Sequence, residues 1–182
     1  MESTIVLTRD MMNQARDYIP LAEKEAWVAE NAPKVFDKLA ITSDNDPMPP
    51  MYMVNTGLKS RYLMAALVRL YFKIAPDEPN EDEWLISVTE YDAWAGSHVI
   101  NQLERFKRDA ELKTKAYDLI LDYKDLEKRF SAQISSLLAV QNDPVIRQAQ
   151  QSAAMIKELP AVLEQLKALQ EGKQNAEQPA AE

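Results

Sequence analysis

The chain predicts an all-α protein: an N-terminal helical bundle followed by a long, coiled-coil-like antiparallel helical hairpin. Three observations carry this. Glycine occurs only three times in 182 residues, far below the usual ~7%, which disfavours hairpin-rich β folds and glycine-rich phosphate loops. Ala, Leu, Glu, Gln, Lys and Met, the good helix formers, dominate the composition. Two apolar stripes in the C-terminal half repeat at alternating spacings of four and three.

In chain order, Thr8 is suited to cap a first helix through Met11, Met12, Ala15 and Ile19. Pro20 fits the first turn of a second, with Leu21, Ala22, Ala26 and Trp27 as its apolar positions. Pro33 kinks that helix or starts another through Val35, Phe36 and Leu39. Residues 42–51, with three prolines and three Asx residues, read as a loop. Asn55-Thr56 caps a third helix from Gly57 to Ile74, apolar over more than half its circumference and so central to the bundle.

An acidic loop at 76–83 precedes a fourth helix opened by Ser87 or Thr89. From there to Val140 no proline intervenes, and an unbroken helix of ~50 residues would be ~75 Å long. It either protrudes or breaks near 107–111, where the apolar phase of Val99, Leu103, Phe106 and Ala110 changes. Beyond that point Leu112, Ala116, Leu119, Tyr123, Leu126, Phe130, Gln133 and Leu137 form a coiled-coil seam with one polar member. Asn142-Asp143-Pro144 marks a turn with Asp143 as N-cap. A second seam then runs through Val145, Ala149, Ser152, Ile156, Leu159, Leu163 and Leu166, kinked at Pro160. Gly172 ends it, and 173–182 reads as a disordered tail. The expected organisation is a bundle over 1–106, a hairpin over 107–172 and that tail. The hairpin must cover its apolar faces against the bundle, a second copy of the chain or a partner.

The chemistry-bearing inventory is sparse. Cysteine is absent and His98 is the only histidine, so neither a thiolate metal site nor a paired nucleophile and base can be assembled. No phosphate-loop, dinucleotide, zinc-protease or EF-hand motif occurs. We therefore expect no catalytic residues, no metal and no cofactor. The N-terminus lacks a basic, then apolar leader, and no run approaches the ~20 apolar residues of a membrane span. A soluble cytoplasmic protein is the expectation.

Charge is segregated within a net −8. Between Lys73 and Arg105 there is no Lys or Arg, but there are eight carboxylates. Five of them, Asp77, Glu78, Glu81, Asp82 and Glu83, form a run suited to a basic protein surface. Between Pro47 and Pro76 there is no carboxylate. There Arg61, Arg69 and Lys73, spaced for one helix face, suit phosphates or acidic patches. The plainer alternative for both blocks is a solvated loop and internal pairing. A third block, Arg105, Lys107, Arg108, Lys113 and Lys115, is diluted by Asp109 and Glu111.

Two stretches, Thr8-Arg9-Asp10-Met11-Met12-Asn13-Gln14-Ala15-Arg16-Asp17-Tyr18 and Met51-Tyr52-Met53-Val54-Asn55-Thr56-Gly57-Leu58-Lys59-Ser60-Arg61-Tyr62, carry a resemblance that length and acidity reinforce. With them the whole chain resembles a small anti-CRISPR protein of Firmicutes mobile elements from the gut. Such proteins share no fold or motif, so no residue roles transfer. The resemblance implies a stoichiometric inhibitor of a type II-A Cas9 in a bacterial cytoplasm. It would bind the guide-RNA-loaded nuclease and block DNA engagement or cleavage, with double-stranded DNA as a secondary contact. The alternative is a structural or assembly protein of a phage or mobile element that dimerises through its seam residues.

Overall fold

Capping side chains set most helix starts. The computed structural model describes residues 5–39, 42–43, 46–47, 50–75, 82–150, 152–153, 156–157 and 160. Helix α1, Arg9–Gln14, begins at Thr8, whose hydroxyl accepts from the Met11 N–H. Helix α2, Leu21–Asn31, follows Pro20. Its buried face is Lys24, Trp27, Val28 and Asn31, while Leu21, Ala22 and Ala26 are exposed. Only Trp27 of the expected apolar face is inside.

Pro33 opens a 3₁₀ turn, Ala32–Val35, which then goes extended instead of helical. Strand β1, Phe36–Leu39, pairs with β4, Met51–Val54, and between them β2, Thr42–Ser43, pairs with β3, Asp46–Pro47. The β2–β3 pair is antiparallel, with Thr42 opposite Pro47 and Ser43 opposite Asp46. The fold is mostly helical, not all-α. The expected helix through Phe36 and Leu39 is a strand, and the 42–51 loop contains paired backbone. Pro47 does not forbid this, because in a two-stranded ribbon both strands are edges and one side of each needs no donor.

Helix α3, Thr56–Ala66, is capped by Asn55, whose side chain accepts from the Leu58 N–H. It continues as a π-helical turn, Leu67–Tyr71, closed by Phe72 N–H donating to the Leu67 carbonyl at 3.2 Å. Tyr62, Leu63, Ala65, Ala66, Leu67, Val68, Leu70, Tyr71 and Phe72 are all buried, so this element is central, as its wide apolar arc required. Ser87 caps α4, Val88–Gly96. His98, in the left-handed region at φ 50°, separates it from α5, Val99–Phe106. Residues 107–112 then break the path before α6, Lys113–Gln141. The potential 50-residue helix is thus cut twice, once where the apolar phase changes.

The chain divides into two compact units. One comprises 1–38 and 52–139, the other 39–51 and 140–182. The first unit contains the core. Along α6, Leu112, Ala116, Leu119, Leu126 and Phe130 are buried, and Tyr123 and Leu137 pack against them half-buried. Phe130 lies 4.8 Å from Trp27 between ring centroids, and Tyr123 meets Tyr71 edge-on at 5.9 Å. The first seam is therefore covered by the chain's own N-terminal elements and is not left for an oligomer. Its register also shifts: Gln133 is exposed and Ile134 is buried. A straight helix drifts ~20° per heptad against a strict 3.5 repeat, so after three heptads the core-facing position moves one residue on. Urea denaturation should accordingly show Gln133→Glu within about 0.5 kcal/mol of wild type. Ile134→Ala should cost about 2–5 kcal/mol.

In the second unit residues 144–150 are helical, and the Asp143 carboxylate accepts from the Val145 and Ile146 N–H groups at 2.8 and 3.2 Å. Of the second seam, Val145, Ala149, Ser152 and Ile156 are exposed. Leu159, Leu163, Leu166, Gly172 and the 173–182 tail lie outside the described residues.

Candidate functional site

A cleft of about 600 Å³ lies where α2 and the turn before it face α6, lined by Asp17, Tyr18, Leu21, Lys24, Asp118, Leu121, Asp122, Asp125 and Arg129. Its floor is a buried ion network. Lys24, with 4% of its side chain exposed, donates to Asp122 at 2.5 Å and to Asp125 at 3.0 Å. The second oxygen of Asp122 accepts from the Ile19 N–H and the Tyr71 hydroxyl, both at 2.9 Å. Asp125 also accepts from Arg129 Nε at 2.9 Å.

Burial works against the charge on Lys24, but its bonds to Asp122 and Asp125 outweigh that and raise its pKa above the usual lysine value. The Arg129 and Lys24 donors hold the Asp125 carboxyl below the usual range. Burial, then the adjacent Asp122 charge, pushes the Tyr71 hydroxyl up, so it stays a donor. Lys24 and Asp125 are thus both charged around neutrality.

The rim is different. Asp17 and Asp118 are exposed carboxylates, and Tyr18, Leu21 and Leu121 are 59%, 46% and 51% exposed. Four carboxylates against two cations give an acidic cleft, and its edge is apolar. This combination suits a cationic side chain with a long aliphatic stem, which can lay its methylenes on Tyr18 or Leu121 and its charge among the carboxylates.

The residues expected to act from sequence are distributed otherwise. Asp82 is half-buried and engaged in bonds within the chain. It accepts from the Tyr62 hydroxyl at 2.7 Å and the Trp84 N–H at 3.0 Å, and pairs with Lys34 at 3.1 Å. Burial opposes its ionisation, but these bonds prevail and hold its pKa below the usual range. Glu83 is exposed, and Asp77, Glu78 and Glu81 lie outside the described residues. Arg61 donates from Nε and Nη2 to the Ile86 carbonyl at 2.8 and 2.5 Å, which ties α3 to the segment entering α4. Arg69 and Lys73 come together on a separate cavity. Arg61 is not among the residues lining that cavity. His98 sits exposed at the α4–α5 junction. In the third basic block Lys107 pairs with Glu104 at 2.6 Å.

The cleft itself was missed, although a signal for it existed. Asp118, Asp122, Asp125 and Arg129 repeat at 4-3-4, a polar stripe running beside the apolar seam of the same helix. Among the described residues no group of three or more His, Cys, Asp or Glu is arranged to hold a metal ion, and no helix is long and apolar enough to cross a membrane. No family model, curated protein or solved structure matches the chain.

Proposed function

We propose that this chain acts by binding a protein with a basic surface, and that its target is a guide-RNA-loaded type II-A Cas9. In this reading it blocks DNA engagement or cleavage stoichiometrically, in the cytoplasm of a bacterial host, with no catalytic step of its own. The acidic, apolar-edged cleft over the Lys24 network is the observation that carries it. A nuclease of this kind holds nucleic acid in a positively charged channel, and an acidic surface with apolar anchors competes there with phosphate. The Thr8–Tyr18 stretch that resembles anti-CRISPR proteins ends on Asp17 and Tyr18, two residues of this cleft. The test is a cleavage assay with Cas9, guide and target DNA at rising protein concentration. Inhibition complete near equimolar ratio is expected; full cleavage at large excess overturns the reading.

One observation favours the second reading, a structural protein that self-associates. In the second unit Val145 and Ile156 are 75% and 64% exposed on a stripe with heptad spacing. Sedimentation of the purified chain should show a concentration-dependent dimer if that stripe pairs with a second copy. A monomer throughout the accessible range removes this reading.

A further inference from the structure

Three cations around the α5–α6 junction have no acidic partner. Arg105, Arg108 and Lys113 are exposed and make no ion pair among the described residues. The carboxylates that dilute this basic block in the sequence are committed elsewhere, because Asp109 and Glu111 both pair with Arg9. Lys107 bonds Glu104 at 2.6 Å and sets its ammonium 5.3 Å from the centre of the Tyr117 ring. The 105–113 segment is therefore a positive surface in a chain of net charge −8.

The acidic cleft begins just beyond it on the same helix. Asp118 follows Lys113 by five residues, about 7.5 Å along the axis, and Asp125 by about 18 Å. At the boundary stand Tyr117 and Leu121, four residues apart on one face and each 51% exposed. Opposite charges thus flank an apolar centre, and such a surface is complementary to itself. Turning a second copy end over end about an axis that crosses α6 near Tyr117 lays each basic segment over the other's acidic cleft, and the apolar centres meet. The lining of the cleft has the same preference: Tyr18 and Leu121 suit the methylene stem of an arginine or lysine, which the 105–113 segment supplies. A nucleic acid presents charge of one sign, and the neighbouring carboxylates repel it.

We infer that the occupant of this surface is a second copy of the chain, the 105–113 segment of each copy docking on the rim of Asp17 and Asp118 of the other in a two-fold dimer. A contact of this extent belongs to the small, transient class that buries less than ~1,200 Å². The dimer therefore forms only at high concentration, with a dissociation constant on the order of 100 µM. It covers the acidic cleft and so is a closed form, which must dissociate before the cleft takes anything else. Nothing in this contact depends on the identity of the cleft's other partner.

The test is analytical ultracentrifugation of the full chain over a concentration series, at about 50 mM and about 500 mM salt. The wild type should dimerise reversibly, and the higher salt should weaken the dimer about tenfold. Two variants, Asp17→Lys with Asp118→Lys and Arg105→Glu with Arg108→Glu, should each be monomeric, since like charges then face each other at both contacts. Mixed in equal amounts they should form a one-to-one heterodimer of wild-type affinity, because both contacts again join opposite charges. All four positions are exposed, and recovery on mixing shows that both variants are folded. Tyr117→Ala with Leu121→Ala should weaken the dimer at either salt. A wild type that stays monomeric to the limit of solubility overturns the inference, whatever else the basic segment then binds. So do two charge variants that stay apart when mixed. A dimer that survives both charge reversals but is lost in Val145→Asp with Ile156→Asp also overturns it, since association would then belong to the second unit.

Discussion

Lys24→Met is expected to destabilise the protein by about 3–5 kcal/mol, one of the largest single losses available outside the apolar core. The side chain is 4% exposed and its partner Asp122 is 9% exposed, so removing the ammonium leaves a carboxylate buried with only the Ile19 N–H and the Tyr71 hydroxyl for company. Asp122→Leu alone should cost less, about 1–3 kcal/mol, because Lys24 keeps Asp125 at 3.0 Å while the Ile19 N–H and the Tyr71 hydroxyl lose their acceptor. The double variant should cost much less than the two singles added, because two neutral side chains leave no buried charge behind. Chemical denaturation of the four proteins measures this, and strictly additive losses would show that Lys24 and Asp122 do not act as a pair. The pH dependence has a definite sign. Lys24 titrates higher in the folded chain than its usual 10.5, so its contribution is complete below that value and is lost as pH rises through the folded pKa. Asp125 titrates below its usual 3.8, so its contribution is complete above that value and disappears as pH falls. Thermal midpoints followed by circular dichroism should therefore be level across the neutral range and drop at both ends. In Lys24→Met the alkaline drop should be diminished.

That network also marks the boundary of what could be read from the residues. Thr8, Asn55, Ser87 and Asp143 cap helices as their positions implied, because a cap is a local bond between residues two or three apart. The central place of α3 was equally legible, since an apolar arc that wide has no other use. Lys24 was not. A lysine amid Glu23 and Glu25 reads as solvated surface, and only the approach of α6, about a hundred residues later, turns it inward. The β1–β4 pairing fails for the same reason, being a contact across a proline-rich segment that local propensity opposes. The π-helical turn at Leu67–Tyr71 has no sequence signature either. Of the expected site residues, the half-buried Asp82 and Arg61 each have a backbone or hydroxyl partner that no charge pattern discloses. The cleft is written in α6 as a polar stripe beside the apolar seam, a pattern that an exposed helix face shows equally.

On the function proposed above, reversing the exposed acids of the cleft, Asp17→Lys with Asp118→Lys, should raise the concentration needed for half-inhibition of Cas9 by about 100-fold, roughly 2.7 kcal/mol. These two carboxylates are chosen because neither bonds to Lys24, so the floor of the cleft and the fold are left intact. Two like charges facing a basic surface both remove an attraction and introduce a repulsion, which is why the effect exceeds that of truncation. Tyr18→Ala with Leu121→Ala should cost a comparable amount through lost apolar contact, but the two pairs differ in their salt dependence. Potency of the wild type and of the apolar pair should fall as ionic strength rises, whereas the reversed pair, having lost the attraction, should be nearly indifferent to salt. A parallel variant reverses the acidic run at Asp77, Glu78, Glu81 and Glu83 and leaves Asp82 to its internal bonds. Unchanged potency in that variant, with loss in the cleft variants, locates recognition on α6 and the turn before α2. The opposite result would return recognition to the acidic run and leave the cleft as a stabilising element alone, with Lys24 as its reason for existing.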